Sequence, residues 1–153
     1  MRAAHRARLA ANALNGSTLL GLALARAGGG RIEPGPDGLL LARGVRDGFP
    51  RAAAVTVGNV VLLRVEEPSP RLLRHEAVHA TQWACCTLAF LPLYLGAVGW
   101  SYLRTGDHWS RNAFERGAGL ADGGYTERPT RPLTRRGRRA VALRPGSRPR
   151  PPA

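Results

Sequence analysis

His75-Glu76-Ala77-Val78-His79 is the stretch from which the rest of the chain is read. Residues at i and i+4 project from one helical face, so both imidazoles can reach a single cation while Glu76 stays free to act on a bound water. With 4 histidines and 6 glutamates in 153 residues, a shuffled chain of this composition would show H-E-x-x-H only about 0.4% of the time. The spacing predicts a helix: His75, His79, Gln82 and Cys86 recur at steps of 4, 3 and 4. Leu73, Ala77, Ala80 and Ala84 form a flank small enough to lie close on a sheet. Glu66-Glu67-Pro68-Ser69-Pro70 precedes this helix, with Ser69 as the expected N-cap and Pro70 at the first helical position, where its missing N–H is not needed.

Working upstream, residues 39 to 65 read as a small antiparallel sheet. Leu39 to Ala42, Val55-Thr56-Val57 and Val60 to Val65 are the strand candidates. Gly58-Asn59 between the last two is either a two-residue hairpin turn or a bulge. Pro34-Gly35-Pro36-Asp37-Gly38 and Arg46-Asp47-Gly48-Phe49-Pro50 are turn clusters. The arginine-rich start and the apolar run Thr18 to Ala25 look like a leader. Asn12, Asn15, Gly16 and Ser17 interrupt that pattern and favour an ordinary N-terminal helix, capped near Asn15 or Ser17 and ended by Gly28-Gly29-Gly30. The expected organisation is an N-terminal helix or leader over residues 1–30, a metal-binding domain over 31–125 and a tail over 126–153.

Downstream, residues 84 to 103 carry no charge, a length sufficient to cross a bilayer. Pro92, Gly96 and Gly99 point instead to a buried helix that breaks at Leu91-Pro92, followed by a short apolar segment, Leu93 to Leu103. Trp83, Tyr94, Trp100 and Tyr102 fit a core or an interfacial belt. The soluble, cytoplasmic reading is preferred, with membrane contact through residues 84–103, or secretion, as alternatives. Cys85 and Cys86, adjacent and badly placed to bond each other, read as buried thiols. A short second helix begins at Asn112, an N-cap, with Glu115 at its N3 position as a capping-box partner.

The net charge of +13 is unevenly placed. All 10 acidic residues lie in residues 1–127 beside 14 arginines, whereas residues 128–153 hold 9 arginines and no acid. The basicity belongs to an arginine- and proline-rich tail, expected to be disordered. That tail lacks the interleaved aromatics on which bases stack, so a nucleic-acid partner is not expected. No phosphate-cradling glycine loop and no Ser/His/Asp set suggests a rival enzyme class.

His75-Glu76-x-x-His79 with Gln82, the segment Phe90-Leu91-Pro92-Leu93-Tyr94, and Asn112-x-Phe114-Glu115-Arg116-x-Ala118 together resemble a group of small bacterial zincin-like proteins. The segment Thr56 to Leu62 looks like the strand that precedes the motif helix in that group. The resemblance covers roughly residues 53 to 121. It implies an α+β fold in which a small antiparallel sheet packs on the H-E-x-x-H helix. It also implies that His75 and His79 are Zn2+ ligands, Glu76 is the general base, and Glu115 on the second helix is the third ligand, as in gluzincins. Gly117 and Gly119 depart from the pattern, where better helix formers are expected.

The implied activity is zinc-dependent hydrolysis of a peptide bond in a peptide or protein substrate, held as an added strand along residues 54–64. If Glu115 serves only as a helix cap, His108 or Asp107 is the alternative third ligand. His108, Tyr102 and Tyr125 are the candidate oxyanion donors. The competing reading is a non-catalytic zinc-binding scaffold.

Overall fold

Gly58 and Asn59 make a two-residue hairpin turn between β3 (Ala54–Val57) and β4 (Val60–Leu63). Gly58 takes φ +61, and a Cβ there would run into the backbone of Ser17 and Thr18, so glycine is required on both counts. The hairpin reading therefore replaces the bulge. The computed structural model describes residues 2–46 and 52–132. The turn expected at Arg46 to Pro50 lies outside these from residue 47 onward, as does the tail from residue 133; residues 126–132 form no helix or strand.

The fold is α+β, but the sheet is mixed rather than antiparallel throughout. β4 pairs in parallel with β2 (Leu40–Arg43), β2 pairs antiparallel with β1 (Arg31–Pro34), and the strand order is β1-β2-β4-β3. The reason lies in β4, whose four residues Val60-Val61-Leu62-Leu63 are all buried. A strand apolar on both faces belongs in the middle of a sheet, with layers on either side. β4 therefore lies between β2 and β3, and the outer edge offered by residues 54–64 is β3 alone. β1 escaped the sequence reading because its residues are largely exposed and it ends at Pro34, a residue tolerated at a sheet edge.

Where one N-terminal helix was expected there are two, α1 (Ala3–Leu14) and α2 (Ser17–Ala27), separated at Asn15 and a left-handed Gly16 (φ 79). Both pack on the rest of the described chain, α1 against the motif helix and α2 against the hairpin. Buried Asn12 joins three elements. Its Nδ2 donates to Asn59 Oδ1 (3.0 Å) and to the Ala80 carbonyl (2.8 Å), and Asn59 Nδ2 donates to Thr18 Oγ1 (3.0 Å). On one face of the sheet Ala25, Val60 and Leu62 pack with Trp83 and Phe90; on the other, Val61 and Leu63 pack with Ala80, Leu73 and Ala77.

The motif helix, α3, runs Pro70–Cys86, and its N-cap Ser69 accepts a hydrogen bond from the Leu72 amide at 3.2 Å. It ends at Thr87, held at φ 55, and a single 3-10 turn leads into α4 (Phe90–Thr105). Two expectations fail here. The break falls at Thr87 and not at Leu91-Pro92: Pro92 sits in the first turn of α4, where its amide has no helical partner to lose. Nor is the chain buried up to Leu91, since Leu88 and Leu91 are 53% and 45% exposed; beyond it Leu93, Leu95, Tyr102 and Leu103 are each more than half exposed. Cys85 is also exposed and Cys86 half-buried, against the expectation of two buried thiols. The last helix, α5 (Ala113–Ala118), is capped by Asn112, whose side chain accepts from the Phe114 amide at 3.0 Å.

Candidate metal centre

α3 presents His75 and His79 one turn apart, and α5 brings Glu115 across to them. His75 Nε2 and His79 Nε2 lie 3.0 Å apart, Glu115 Oε2 is 3.2 Å from His75 Nε2, and Glu115 Oε1 is 3.6 Å from His79 Nε2. All three residues are buried. Ligands at about 2.0–2.1 Å around a tetrahedral ion stand about 3.3 Å from one another, which this triangle brackets. Among the described residues, buried Glu115 Oε2 has no hydrogen-bond partner beyond the His75 imidazole, a set that a cation would complete.

The groups behind the donors fix their orientation. His75 Nδ1 donates to the Gly119 carbonyl (3.1 Å) and His79 Nδ1 to Gln82 Oε1 (2.8 Å). Gln82 is itself oriented by donating Nε2 to the Phe114 carbonyl (3.0 Å). With each Nδ1 committed as a donor, both Nε2 atoms turn toward Glu115, as metal-ligating imidazoles do. The Tyr94 hydroxyl from α4 donates to Glu115 Oε1. Trp83, Phe90, Tyr94 and Phe114 form an aromatic wall, with ring centroids 4.8 to 6.0 Å apart along the chain of contacts.

Glu76 points elsewhere. Its Oε2 accepts from Thr56 Oγ1 on β3 at 2.6 Å. Burial raises its pKa, against the opposing pull of the Thr56 hydrogen bond and the two histidines. Burial alone would raise Glu115 too, but hydrogen bonds from His75 and His79, the charge of His79 and the Tyr94 hydroxyl bring it down to about 2. Burial works against a charged His75. Its hydrogen bond to Glu115, the nearby Glu76 and Glu115 charges and the Gly119 carbonyl nonetheless hold its pKa above the usual imidazole value. The two carboxylates are thus driven in opposite directions, which is how neighbouring groups of one type are given different roles.

His75, Glu76, His79 and Glu115 line one open cavity of about 410 Å³, together with residues of β3 and α4, His108, Trp109 and Tyr125. The alternative third ligands stay outside the cluster. Asp107 is occupied in its own loop, accepting from the Trp109 and Ser110 amides and the Ser110 hydroxyl. His108 is exposed and stacks on Tyr102 at 5.3 Å. Of the candidate oxyanion donors, Tyr102 is exposed and does not line the cavity, His108 lies on its rim, and Tyr125 sits inside with its ring 6.2 Å from His75. Glu115 does not close a capping box: its oxygens go to Tyr94 and the histidines, and the Asn112 amide bonds the Trp109 carbonyl.

Three contributors escaped the sequence reading. Tyr94 and Thr56 come from distant elements and carry no spacing signal. The loop from Gly119 to Tyr125 passes over His75 so closely that a Cβ on Gly123 would lie 2.6 Å from the ring. In comparisons with family models, curated proteins and solved structures, nothing matches this chain.

Proposed function

We propose that the chain binds zinc through His75, His79 and Glu115 and acts as a metallopeptidase with Glu76 as general base, the chemistry of a zincin. The observation that carries this reading is three converging donors on the wall of a cavity that also holds a separate buried carboxylate. A structural zinc is closed by four protein ligands, whereas a catalytic one has three and keeps a position open. Among the described residues three groups converge and no fourth does.

Zinc, when bound, supplies a polarised substrate carbonyl and a water that loses its proton near neutral pH. The protein does the rest. Gln82 and Gly119 hold the imidazoles in the ligating tautomer. Thr56 ties down Glu76 Oε2, leaving Oε1 to take the proton of the attacking water and pass it to the leaving amine. The raised pKa of Glu76 strengthens it as a base. Tyr125, whose pKa burial raises, stays protonated and is the hydroxyl placed to donate to a developing oxyanion. The register of β3 turns the backbone of Ala54 and Thr56 away from β4, along the cavity, as an edge for an extended peptide. Trp83 Nε1 already occupies the Thr56 carbonyl at 2.9 Å, so the Ala54 positions carry that edge.

Glu76→Gln separates catalysis from binding. The expected result, with a quenched-fluorescent peptide library as probe, is unchanged zinc content and a loss of hydrolysis of about 10²- to 10⁴-fold. Undiminished hydrolysis in the variant, or zinc bound by a native chain that cleaves nothing in the library, would refute the peptidase reading; the latter is the result a scaffold gives.

A further inference from the structure

α4 is inside-out. Its buried positions include Ser101 and Thr105, at 0% and 2% exposure, while Leu93, Leu95 and Leu103 stand 52%, 65% and 66% exposed. A helix at the surface of a water-soluble domain turns its apolar stripe inward and its polar face out. Here Ser101 and Thr105 are used inside the protein: Ser101 Oγ accepts from the Arg111 amide (2.8 Å), and Thr105 Oγ1 donates to the Ser101 carbonyl (2.8 Å). The three leucines belong to neither core cluster. The helical stretch Pro70–Thr105 contains a window apolar enough to cross a membrane, and only 11% of that window is buried, whereas the core helix of a water-soluble fold is mostly buried.

We propose that α4 docks the protein on a lipid bilayer, and that the cavity takes its substrate from that membrane, as an apolar polypeptide segment lying in or leaving the lipid. Three observations select lipid over a protein partner. The exposed surface is apolar around the outward side of the helix rather than along one stripe, and residues 84–103 contain no Asp, Glu, Lys, Arg or His with which to pair a charged protein partner. At the C-terminal end Trp100 and Tyr102 are half exposed, with the Arg104 guanidinium 5.3 Å over the Trp100 ring, the aromatic and basic pairing of a membrane–water boundary. Residues 1–127 are themselves net basic, with 14 arginines against 10 acids, which favours the anionic face of a bilayer even without the tail. The inner side of α4 packs on α3 and α5, and its 16 residues extend about 24 Å, less than the roughly 30 Å of a hydrocarbon core. The helix therefore lies embedded at the interface and does not cross.

The docking surface and the cavity are continuous. Leu91 and Leu95 are exposed on the outer side of α4 and also line the cavity, beside Tyr94 and Val98. A segment arriving from lipid would reach the His75, His79 and Glu115 wall without first crossing water. This substrate class rests on the peptidase reading above; the docking does not.

Flotation of the purified full chain with phosphatidylcholine vesicles at about 1 M salt, where the screening length is about 3 Å, isolates the apolar term from attraction by the arginines. The native chain should float. The variant Leu88→Asp, Leu93→Asp, Leu103→Asp should show a vesicle-bound fraction about tenfold lower or less, with native circular dichroism and zinc content. On the native chain alone, brominated lipid should quench tryptophan fluorescence, and Trp100→Phe should remove most of that quenching. A chain that stays unbound, elutes as a discrete dimer and shows no quenching would overturn the docking in favour of a second copy. With vesicle-bound enzyme, a peptide carrying an apolar anchor should be cut about tenfold faster or more than the same peptide without it. Equal rates would overturn the substrate class and leave the docking; no cleavage of either would count against the peptidase reading, with flotation unaffected.

Discussion

Gly123 has no backbone reason to be glycine, since it does not take a positive φ, but the His75 ring fills the space its Cβ would need. Gly123→Ala should push the imidazole out of line and weaken zinc binding by about 10- to 100-fold, the usual effect of disturbing the groups behind a ligand, as read by competition with a chromophoric chelator. Thr56→Val keeps the shape and removes the donor to Glu76. It should cost about 1–3 kcal/mol of stability, measured by urea denaturation, because the buried Glu76 carboxyl is left without its hydrogen bond. The pKa shifts set the pH dependence of the metal-free chain. Glu115, lowered to about 2 from 4.5, contributes stability above pH 4.5 that is lost as pH falls toward 2. His75, raised above 6.5, contributes stability below that value that is lost as pH rises through its folded pKa, and the raised pKa of Glu76 acts in the same sense from 4.5 upward. Thermal unfolding without metal should therefore show greatest stability in mildly acid solution, and the stabilisation by added zinc should grow with pH as the His75 proton is released. The helical spacing made His75, Glu76 and His79 legible in the sequence. Glu115 reads equally well as a cap until α5 is placed against α3. Gly119, which looked like a departure from a helix, ends α5 and gives its carbonyl to His75.

Among the elements, the hairpin and the motif helix were legible because local chemistry specifies them: Gly58-Asn59 between β-branched runs, and Ser69-Pro70 before a periodic stretch. The parallel pairing of β2 with β4 was not, since β3 intervenes in sequence and the chain must pass β4's place in the sheet to form β3 first, an order no local signal specifies. α4 was misjudged for a related reason, because a run apolar on every side has no period from which to tell its inner face. The hairpin gives a direct test of why α2 sits where it does. Gly58→Ala should lose about 1–2 kcal/mol from the left-handed backbone and more from collision with Ser17 and Thr18. Gly44→Ala, at φ +69 with open space around it, should lose only the backbone part. Equal losses in urea denaturation would mean that the hairpin turn does not press on α2.

For the molecule as a whole, composition alone misleads. A charge of +13 suggests a polyanion binder, yet residues 133–153 contain seven arginines and no acid, so the basicity is separable from the site. Removing those residues should shift elution from heparin to lower salt, as fewer phosphate-like contacts require, while zinc content and flotation with neutral vesicles stay unchanged. The described chain is arranged so that α3, α5 and the loop over His75 meet at one cluster, and α4 joins that cluster to an apolar surface. In the proposed function a metal joins them. Zinc per chain, measured by mass spectrometry on the purified native protein beside His79→Ala and Glu115→Ala, tests it most directly. About one zinc is expected in the native chain, none in His79→Ala and a weakened complement in Glu115→Ala. A native chain that holds no zinc after reconstitution, or a Glu115→Ala chain that holds it as tightly as the native one, would contradict it.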